Sequence, residues 1–382
     1  MYFSMALRKR QLKVRVTVRF GRGHLHHPVC DAGAVPSRYL LHLDLDEFIA
    51  AVERLRHPEL EGKPIVVGGD GDPTKRGVVS TASYEARVFG IRSAMPLRTA
   101  YKRNPEAIFL AVDAEAYLET STRVMDTLRT FDAEVEVAGW DEAFLAVAAD
   151  DPETLAREIQ QRVLRRTRLW CTIGIGDNRL QAKLASGFGK PRGVFVLTSE
   201  QWNETMFGLT TSELWGIGSK TAAKLADLGI RTVGELAGAD EAVLAERFGP
   251  STGPWLASLG RGEGSDRVHP EGWTRKGLSK EHTFQVNLTD PDEIRTEVAR
   301  IAREVADDLR GDGWLAVRVV VKVRFAPFFT ATHGVTLDEP VADPDAIADA
   351  AGRALERFEL DRPVRLLGVR AELAPPVVQD DG

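Results

Sequence analysis

Hydrophobic and polar positions along this chain predict the same order of strands and helices twice. The first series opens with a buried strand that ends in an acidic residue, and the second follows a long helical stretch. The first set of elements spans 39–44, 113–131, 134–138, 143–147, 152–168 and 169–175, and the second spans roughly 280–286, 291–311, 314–325, 328–336, 343–358 and 363–373. Each set has the order β-α-β-β-α-β, which is the split βαβ arrangement of an α+β domain.

This order determines which distant parts of the chain meet. In a split βαβ sheet the first and third strands are antiparallel neighbours, so the end of one lies beside the start of the other. Asp44 ends the first strand, and Asp141 and Glu142 precede the third. We therefore expect three carboxylates that are far apart in sequence to lie at one edge of the sheet.

An insertion at 48–112 separates the first strand from its helix, and it carries helix boundaries of its own. Ser83 is expected to cap a helix that ends at Gly90. Pro96 is expected to open another helix that stops at Asn104.

The second half of the chain contains three further patterns. Residues 203–265 are predicted to be helical, with Gly216-Ile217-Gly218 forming a tight turn between two helices. Residues 266–276 have the polar, Gly- and Pro-containing composition of a linker. In the strand at 317–325, Val317 and every second residue after it face the core, whereas the opposite face carries Arg318, Lys322 and Arg324.

Composition limits the class of protein. The chain has 382 residues, of which 43% are hydrophobic and 28% charged, so we expect two to four folded domains. No run of about 18 apolar residues predicts a membrane span. Two cysteines, Cys30 and Cys171, are too few for a disulfide framework, which favours a cytoplasmic protein. Because the net charge is −6, any binding of nucleic acid must depend on local basic patches.

Residues 1–37 form a basic extension, with seven Lys/Arg against one acid. Leu12, Val14, Val16 and Val18 alternate with polar residues, so a short strand is conceivable there. Two interpretations stay open, namely a basic arm that contacts nucleic acid, and a disordered tail or a wrongly assigned start. We favour the second, because termini are commonly disordered.

The strongest chemical signal is the predicted meeting of Asp44, Asp141 and Glu142. Crowded carboxylates repel one another unless a cation neutralises them, and Mg²⁺ prefers oxygen ligands together with substrate phosphates. Two ions about 3.5–4 Å apart would support phosphoryl transfer, with the Leu45 carbonyl as a further ligand. The alternative is that Asp44 and Asp46 cap a turn while Asp141 and Glu142 fill a polar hairpin. The sheet topology favours the metal site.

Other residues have the chemistry that phosphate binding requires. The hydroxyls of Thr81 and Tyr84 and the guanidinium of Arg87 suit a polyphosphate, because Tyr84 and Arg87 lie three residues apart on one helix. Lys183, on a helix after the last sheet strand, could place a positive charge on a phosphate, although alone it would be read as a solvated lysine. The Gly216 and Gly218 backbone could approach a nucleic-acid phosphate, or form a plain helix-helix turn.

Four motifs in order resemble those of the Y-family, translesion DNA polymerases, and are closest to the DinB (DNA polymerase IV) branch. The motifs are Leu-His-Leu-Asp44-Leu-Asp46-Glu-Phe48-Ile49, the fingers segment from Val79 to Pro96 that includes Thr81, Tyr84 and Arg87, Trp140-Asp141-Glu142-Ala143-Phe144-Leu145, and Ala182-Lys183 with Gly189-Lys190-Pro191. The resemblance extends from about Tyr39 to Leu373.

The resemblance implies an α+β right-hand polymerase with a split-βαβ (ferredoxin-like) palm, small fingers, a helical thumb and a C-terminal βαββαβ little finger. Its expected boundaries are 38–47 with 114–200 for the palm, 48–113 for the fingers, 203–265 for a thumb with a helix-hairpin-helix, 274–375 for the little finger, and 376–382 for a tail.

The resemblance also implies a role for each matching residue. Asp44, Asp141 and Glu142 would hold two Mg²⁺ ions, for which Mn²⁺ could substitute, with the Leu45 carbonyl assisting. Asp46 matches an acid that need not touch metal. Phe48, Ile49, Thr81, Tyr84, Arg87 and Lys183 would contact the incoming nucleotide. Gly216, Gly218, Lys220, Arg318, Lys322 and Arg324 would contact primer-template DNA.

Ile49 is the main departure from the family pattern, which has Tyr or Phe at this position to exclude a 2′-hydroxyl. We therefore hypothesise that ribonucleotides are accepted beside deoxynucleotides, unless a shifted Phe48 closes the space. No C-terminal sliding-clamp peptide is seen, so clamp recruitment is doubtful, and a monomer is expected. Residues 274–375 hold 15 Lys/Arg and 18 Asp/Glu, so brief, salt-sensitive contact with DNA is expected.

Two other functions remain possible from sequence. One is a non-catalytic adaptor of the same family, which the presence of all three carboxylates disfavours. The other is a nucleotidyl cyclase with a similar palm, which the Gly216–Gly218 turn and a separate C-terminal domain disfavour.

Overall fold

The structure is a computed structural model that describes residues 38–374. The basic segment 1–37, with its predicted short strand, and the predicted tail 376–382 lie outside the described residues. The described chain divides into two compact units. Residues 38–72 and 77–272 belong to the first unit, and residues 73–76 and 273–374 belong to the second.

The first unit contains two sheets and eleven α-helices among the described residues. Its strands are β1 (Arg38–Leu45), β2 (Ile65–Val67), β3 (Thr81–Ala82), β4 (Ile108–Leu110), β5 (Glu134–Val137), β6 (Glu142–Ala148), β7 (Cys171–Gly176) and β8 (Val194–Val196). Its α-helices are α1 (Phe48–Arg56), α2 (Tyr84–Val88), α3 (Leu97–Arg103), α4 (Ala114–Leu128), α5 (Pro152–Thr167), α6 (Arg179–Gly189), α7 (Ser199–Met206), α8 (Ser219–Asp227), α9 (Val233–Ala237), α10 (Glu241–Phe248) and α11 (Thr252–Gly260).

The larger sheet of this unit confirms the predicted split βαβ order. Its strand order is β5-β6-β1-β7-β8, with β1 antiparallel to both β6 and β7. Side chains alternate across β1, so Leu41, Leu43 and Leu45 enter the core that contains α4 and α5. His42 faces the opposite side, where α6 packs. The edge strand β8, parallel to β7, was not predicted.

Capping side chains fix several helix starts as the sequence predicts. Asp151 accepts a hydrogen bond from the Thr154 amide at 3.0 Å, directly before Pro152 opens α5. Ser83 accepts one from the Ala86 amide at 3.2 Å and so begins α2. The insertion also contains the unpredicted helix α1 and the small sheet β3-β2-β4.

Two predictions of local structure in this unit are wrong. The helix over 113–131 ends at Leu128, and Phe131 lies beyond it. The segment before Gly216 is not an α-helix but a short 3-10 turn over Thr211–Glu213. Thr and Ser are weak helix formers, and here the Thr211 amide donates instead to the Arg231 carbonyl at 3.0 Å.

The second unit has the predicted β-α-β-β-α-β order. Its elements are β9 (Gly277–Leu288), α12 (Pro291–Asp312), β10 (Ala316–Phe325), β11 (Phe329–Val341), α13 (Pro344–Leu355) and β12 (Val364–Leu373). The sheet order is β11-β10-β12-β9, and both helices pack on one face. The prediction for Val317 is wrong, because a register shift between Ala316 and Arg318 places Ala316 in the core instead.

Across residues 38–374, no helix combines the length and the apolar composition that crossing a membrane would require.

Candidate active site

The three predicted carboxylates lie at one end of the central strands of the first unit. Asp44 on β1 pairs in register with Glu142 on β6. The Leu45 amide donates to the Asp141 carbonyl at 2.8 Å, which ties the turn before β6 to the end of β1. The structure thus gathers Asp44, Asp141 and Glu142 as the topology predicts.

Two lysines offset part of the negative charge of these acids. Lys190 forms an ion pair with Asp44, and Lys183 of α6 forms one with Glu142. Burial, followed by the charges of Asp44 and Glu142, raises the pKa of Asp141 to about 6. Burial alone would raise the pKa of Glu142, but its neighbours His42 and Lys183 outweigh burial and lower the pKa to about 2. Asp141 is therefore the carboxylate whose charge is least compensated.

This donor set fits a divalent cation. Three carboxylates offer the oxygen ligands that Mg²⁺ prefers, and two ammonium groups already supply positive charge there. Within residues 38–374, no three His, Cys, Asp or Glu side chains are already arranged as a metal cluster. The fit therefore depends on the chemistry of the donors, with Asp44, Asp141 and Glu142 as the candidate ligands together with the predicted Leu45 carbonyl.

Asp46 has a different role from its neighbour Asp44. Its buried carboxylate accepts hydrogen bonds from the Tyr84 hydroxyl at 2.7 Å, the Thr172 hydroxyl at 3.1 Å and the Arg192 amide at 2.9 Å. These three donors occupy most of the lone pairs that a metal would need. Asp46 thus fixes Tyr84 beside the acidic site, in keeping with the prediction that it need not touch metal.

The predicted phosphate-binding residues of the insertion lie close together. Tyr84 begins α2, and the Arg87 guanidinium lies 4.8 Å from the centre of its ring. The Arg87 Nε–H donates to the Ala82 carbonyl at 2.9 Å. Thr81 is on β3, three residues before Tyr84. Tyr84 links this group to the acidic site through Asp46, while Lys183 approaches from α6.

Phe48 and Ile49 differ in how deeply they are buried. Both lie in the first turn of α1, directly after Asp46 and Glu47. The Phe48 side chain is part of the main core of the unit, with only 3% of its surface exposed. Ile49 is partly buried and packs against that core. Phe48 is therefore committed to the interior, and Ile49 is the neighbour with a free surface.

The structure also shows a charged clamp that the sequence analysis missed. Glu47 is buried and has a left-handed backbone with φ of 44°. Its carboxylate accepts hydrogen bonds from the Tyr84 amide and from Arg54, which also pairs with Glu85. The clamp joins α1 to α2, and so it holds Tyr84. Its only sequence signal is Arg54 seven residues after Glu47, which is two helical turns.

We expect Arg54→Met to lower the free energy of unfolding by about 3–5 kcal/mol, because the Glu47 charge would be left buried and unpaired. Adding Glu47→Gln should recover most of the loss. Urea denaturation at neutral pH measures the free energy of unfolding of the single and the double variant. Arg129→Met is the matched control, because its ion pair with Asp126 is exposed and should contribute less than about 1 kcal/mol. An equal loss of unfolding free energy in Arg54→Met and Arg129→Met would contradict a stabilising role of the clamp.

The predicted nucleic-acid turn requires a glycine at position 216 for a steric reason. Gly216 has φ of 99°, and a Cβ there would lie 2.9 Å from the Trp255 ring. Gly218 precedes the first residue of α8, and Lys220 is exposed in its first turn. The turn therefore presents the amino end of α8 and a lysine on the surface of the unit.

The predicted basic face of β10 is partly neutralised by carboxylates on other strands of the same sheet. Lys322 forms an ion pair with Glu281 of β9, and Arg318 lies 3.6 Å from Glu372 of β12. Arg324 Nε–H donates to the Thr330 hydroxyl at 2.9 Å. The face is thus basic but weakly so, as the net charge of the segment suggests.

Comparison with known proteins shows which family this chain belongs to. The impB/mucB/samB family model matches residues 43–187, and the model of that family's C-terminal domain matches 275–378. DNA polymerase IV 2 of Mycobacterium tuberculosis is 48% identical over 341 residues, which cover 88% of this chain and 98% of the relative. DNA polymerase IV of Methanoculleus marisnigri is 37% identical, with 88% of this chain and 94% of the relative covered.

Solved structures show the same fold. A chimera of the Y-family polymerases Dbh and Dpo4 superimposes with a TM-score of 0.78 at 26% identity, covering 87% of this chain and 98% of the other. An insertion ternary complex of Dbh DNA polymerase gives 0.63 at 26% identity, with 88% and 98% covered. The right-hand polymerase fold with a C-terminal little finger is therefore confirmed, and the cyclase and adaptor alternatives are set aside. This chain belongs to the Y family of DNA polymerases, and it is a translesion-type, DNA-directed DNA polymerase.

Proposed function

We propose that this polymerase extends a DNA primer by two-metal nucleotidyl transfer, releases its DNA often, copies with low fidelity and selects weakly between deoxyribose and ribose. The observation that carries the proposal is the meeting of Asp44, Asp141 and Glu142 beside Lys183 and Lys190. Y-family polymerases generally use divalent metal ions. Mg²⁺ is the ion that we propose here, with Mn²⁺ as a substitute.

The residues of the site suggest how the reaction is arranged. The bound ions would supply Lewis-acid stabilisation of the charge that develops on the reacting phosphate. Tyr84, Arg87 and Thr81 would bind the triphosphate from the insertion, and Lys183 would bind it from α6. The primer 3′-hydroxyl then attacks the α-phosphate, and pyrophosphate leaves. We propose that the enzyme acts as a monomer.

The proposal of weak sugar selection is based on the side chain at position 49, in the first turn of α1. An aromatic side chain at position 49 would extend further than Ile49 does. Phe48 cannot take over this role, because its side chain fills the core. We therefore propose that rNTPs are substrates beside dNTPs.

Binding of primer-template DNA is proposed for two surfaces, each described within its own unit. These are the turn with Gly216, Gly218 and Lys220, and the β10 face with Arg318, Lys322 and Arg324. One solved relative is an insertion ternary complex, which supports DNA and a nucleotide as ligands. The carboxylates opposite Arg318 and Lys322 weaken the attraction of the second surface for phosphate.

We expect short products from single DNA encounters, because the basic face of β10 is partly neutralised. Products should become shorter as salt increases, because phosphate contacts release counterions. Glu281→Gln with Glu372→Gln should lengthen the products, since it frees Lys322 and Arg318. Primer extension with a heparin trap measures product length. The control is Glu297→Gln with Glu304→Gln, which makes the same charge change on the exposed side of α12. Long wild-type products at moderate salt would contradict distributive synthesis.

A further inference from the structure

A short stretch of the insertion is strongly basic in a chain whose net charge is −6. Residues 84–103 contain five Lys/Arg and one acid, Glu85. That acid is already paired with Arg54. Because the attraction of a phosphate depends on local rather than total charge, this stretch is a candidate surface for a polyanion.

Two of these arginines are fixed around the turn that follows α2. Arg92 Nη1 donates to the Arg87 carbonyl at 2.6 Å and to the Ile91 carbonyl at 2.7 Å. Arg103 Nη1 donates to the Gly90 carbonyl. Gly90 has φ of 76°, and a Cβ there would lie 2.6 Å from that Arg103 nitrogen, so only a glycine leaves room for the guanidinium. Carbonyl groups at the end of α2 therefore hold both guanidinium groups on one turn.

The positive charge of this turn has no counter-ion among the described residues. Neither Arg92 nor Arg103 forms an ion pair with a carboxylate there, and their side-chain hydrogen bonds go to backbone carbonyls. Burial, followed by the charges of Arg87 and Arg103, lowers the pKa of Arg92, so the three guanidinium groups repel one another. Each guanidinium has five N–H donors, and the carbonyls use only a minority of them. Donors therefore remain for an anion.

Aromatic side chains are exposed in the same stretch. Phe89 directly precedes Gly90, and 49% of its surface is exposed. Tyr101 lies two residues before Arg103 and is 43% exposed. Surfaces that bind single-stranded nucleic acid combine such rings, on which bases stack, with basic groups that follow the phosphates. Bases in a duplex already stack on one another, so an exposed ring beside arginines favours an unpaired strand.

We propose that Phe89, Arg92 and Arg103 bind the unpaired template strand ahead of the primer. The inference rests on the proposed binding of primer-template DNA, to which it adds a third surface. The turn follows α2, whose five residues span about 7.5 Å from Tyr84 beside the acidic site. The uncopied template begins at that site, because its next base pairs with the incoming nucleotide. The turn is thus placed where the first unpaired bases continue.

Binding of the full-length enzyme to two labelled primer-templates, measured by fluorescence anisotropy without nucleotide, tests the proposal. Both share one duplex, and the template overhang is either a single nucleotide or about six, a length that one such surface can bind. We expect wild type to bind the long overhang about tenfold more tightly than the short one. Arg92→Gln with Arg103→Gln should reduce this preference to about twofold.

The salt dependence counts the contacts. Each phosphate contact of a single strand contributes about 0.7 to the slope of log Kd against log salt, so the double variant should lower the slope on the long overhang by about 1.4. Arg103→Gln alone, at an exposed position, should lower it by about 0.7. The control is Arg165→Gln with Arg166→Gln, which makes the same charge change at the exposed end of α5 and should keep the tenfold preference.

A pair of substitutions at position 89 separates base stacking from apolar contact. Phe89→Tyr retains a ring and should keep the overhang preference, whereas Phe89→Leu should weaken binding of the long overhang about fivefold. Equal preferences in the two variants would overturn stacking on Phe89.

Three other outcomes would overturn the proposal. One is a wild-type enzyme that binds both templates equally, which refutes this inference while primer-template binding stands. The second is an overhang preference that survives Arg92→Gln with Arg103→Gln, with KM for the dNTP raised equally on both templates, which would assign the arginines to the triphosphate. The third is a wild-type enzyme that binds neither template, which refutes the proposed DNA binding and this inference together.

Discussion

Asp141→Asn is expected to lower the rate of primer extension by about a thousandfold or more, because it removes a charged metal ligand from the centre of the reaction. The same change should not destabilise the fold. Burial and the charges of Asp44 and Glu142 raise the pKa of Asp141 to about 6, so near neutral pH the ionised carboxylate works against folding. A neutral amide relieves that repulsion. We expect an unchanged or higher melting temperature in the absence of metal.

Single-turnover extension with saturating dNTP and Mg²⁺ measures the rate, and thermal unfolding of the same sample measures stability. Asp150→Asn is the matched control, because it makes the same chemical change at an exposed position after β6 and should leave the rate near that of wild type. A rate for Asp141→Asn within tenfold of wild type would contradict the metal-ligand role. A rate loss that accompanies unfolding would instead indicate a structural role for Asp141.

Ile49→Phe is expected to increase discrimination against ribonucleotides by about 100-fold, since a larger rigid ring would occupy the space of the 2′-hydroxyl. The gain should come from slower use of rNTPs, while kcat/KM for dNTPs changes little. Position 49 lies in the first turn of α1, next to a Phe48 that is buried in the core. The added ring should therefore extend outward rather than displace Phe48.

The ratio of kcat/KM for dCTP and rCTP opposite a template guanine measures this selectivity. Ile49→Leu is the control, because it keeps an aliphatic side chain of the same volume and should leave the ratio within about threefold of wild type. Equal ratios for wild type and Ile49→Phe would refute weak sugar selection by Ile49. A wild type that rejects rNTPs strongly would refute it as well.

The sequence predicts the meeting of Asp44 with Glu142 because strand order in a split βαβ sheet leaves few alternatives. The C-terminal strands were also predictable, since alternation along β10 gives one apolar face. The position of Val317 outside the core could not be predicted. The register shift at the start of β10 leaves the alternating sequence pattern unchanged.

Contacts made by long side chains from irregular segments were beyond sequence reasoning. Lys190 reaches Asp44 from directly after α6, and no spacing rule joins positions that are 146 residues apart. The clamp around Glu47 depends on a left-handed backbone at a residue that rarely adopts it. The partners of His42 depend on how α6 packs on β1, which periodicity cannot specify.

The central claim is that Asp44, Asp141 and Glu142 together hold two cations against the nucleotide. Anomalous diffraction from crystals of the enzyme with primer-template DNA, a non-hydrolysable dNTP and Mn²⁺ tests it most directly. We predict two anomalous peaks about 4 Å apart, both bound by these carboxylates, with Lys183 on the triphosphate. Bound nucleotide with no peak between the three acids, and with Lys183 and Lys190 still paired to Glu142 and Asp44, would contradict the claim.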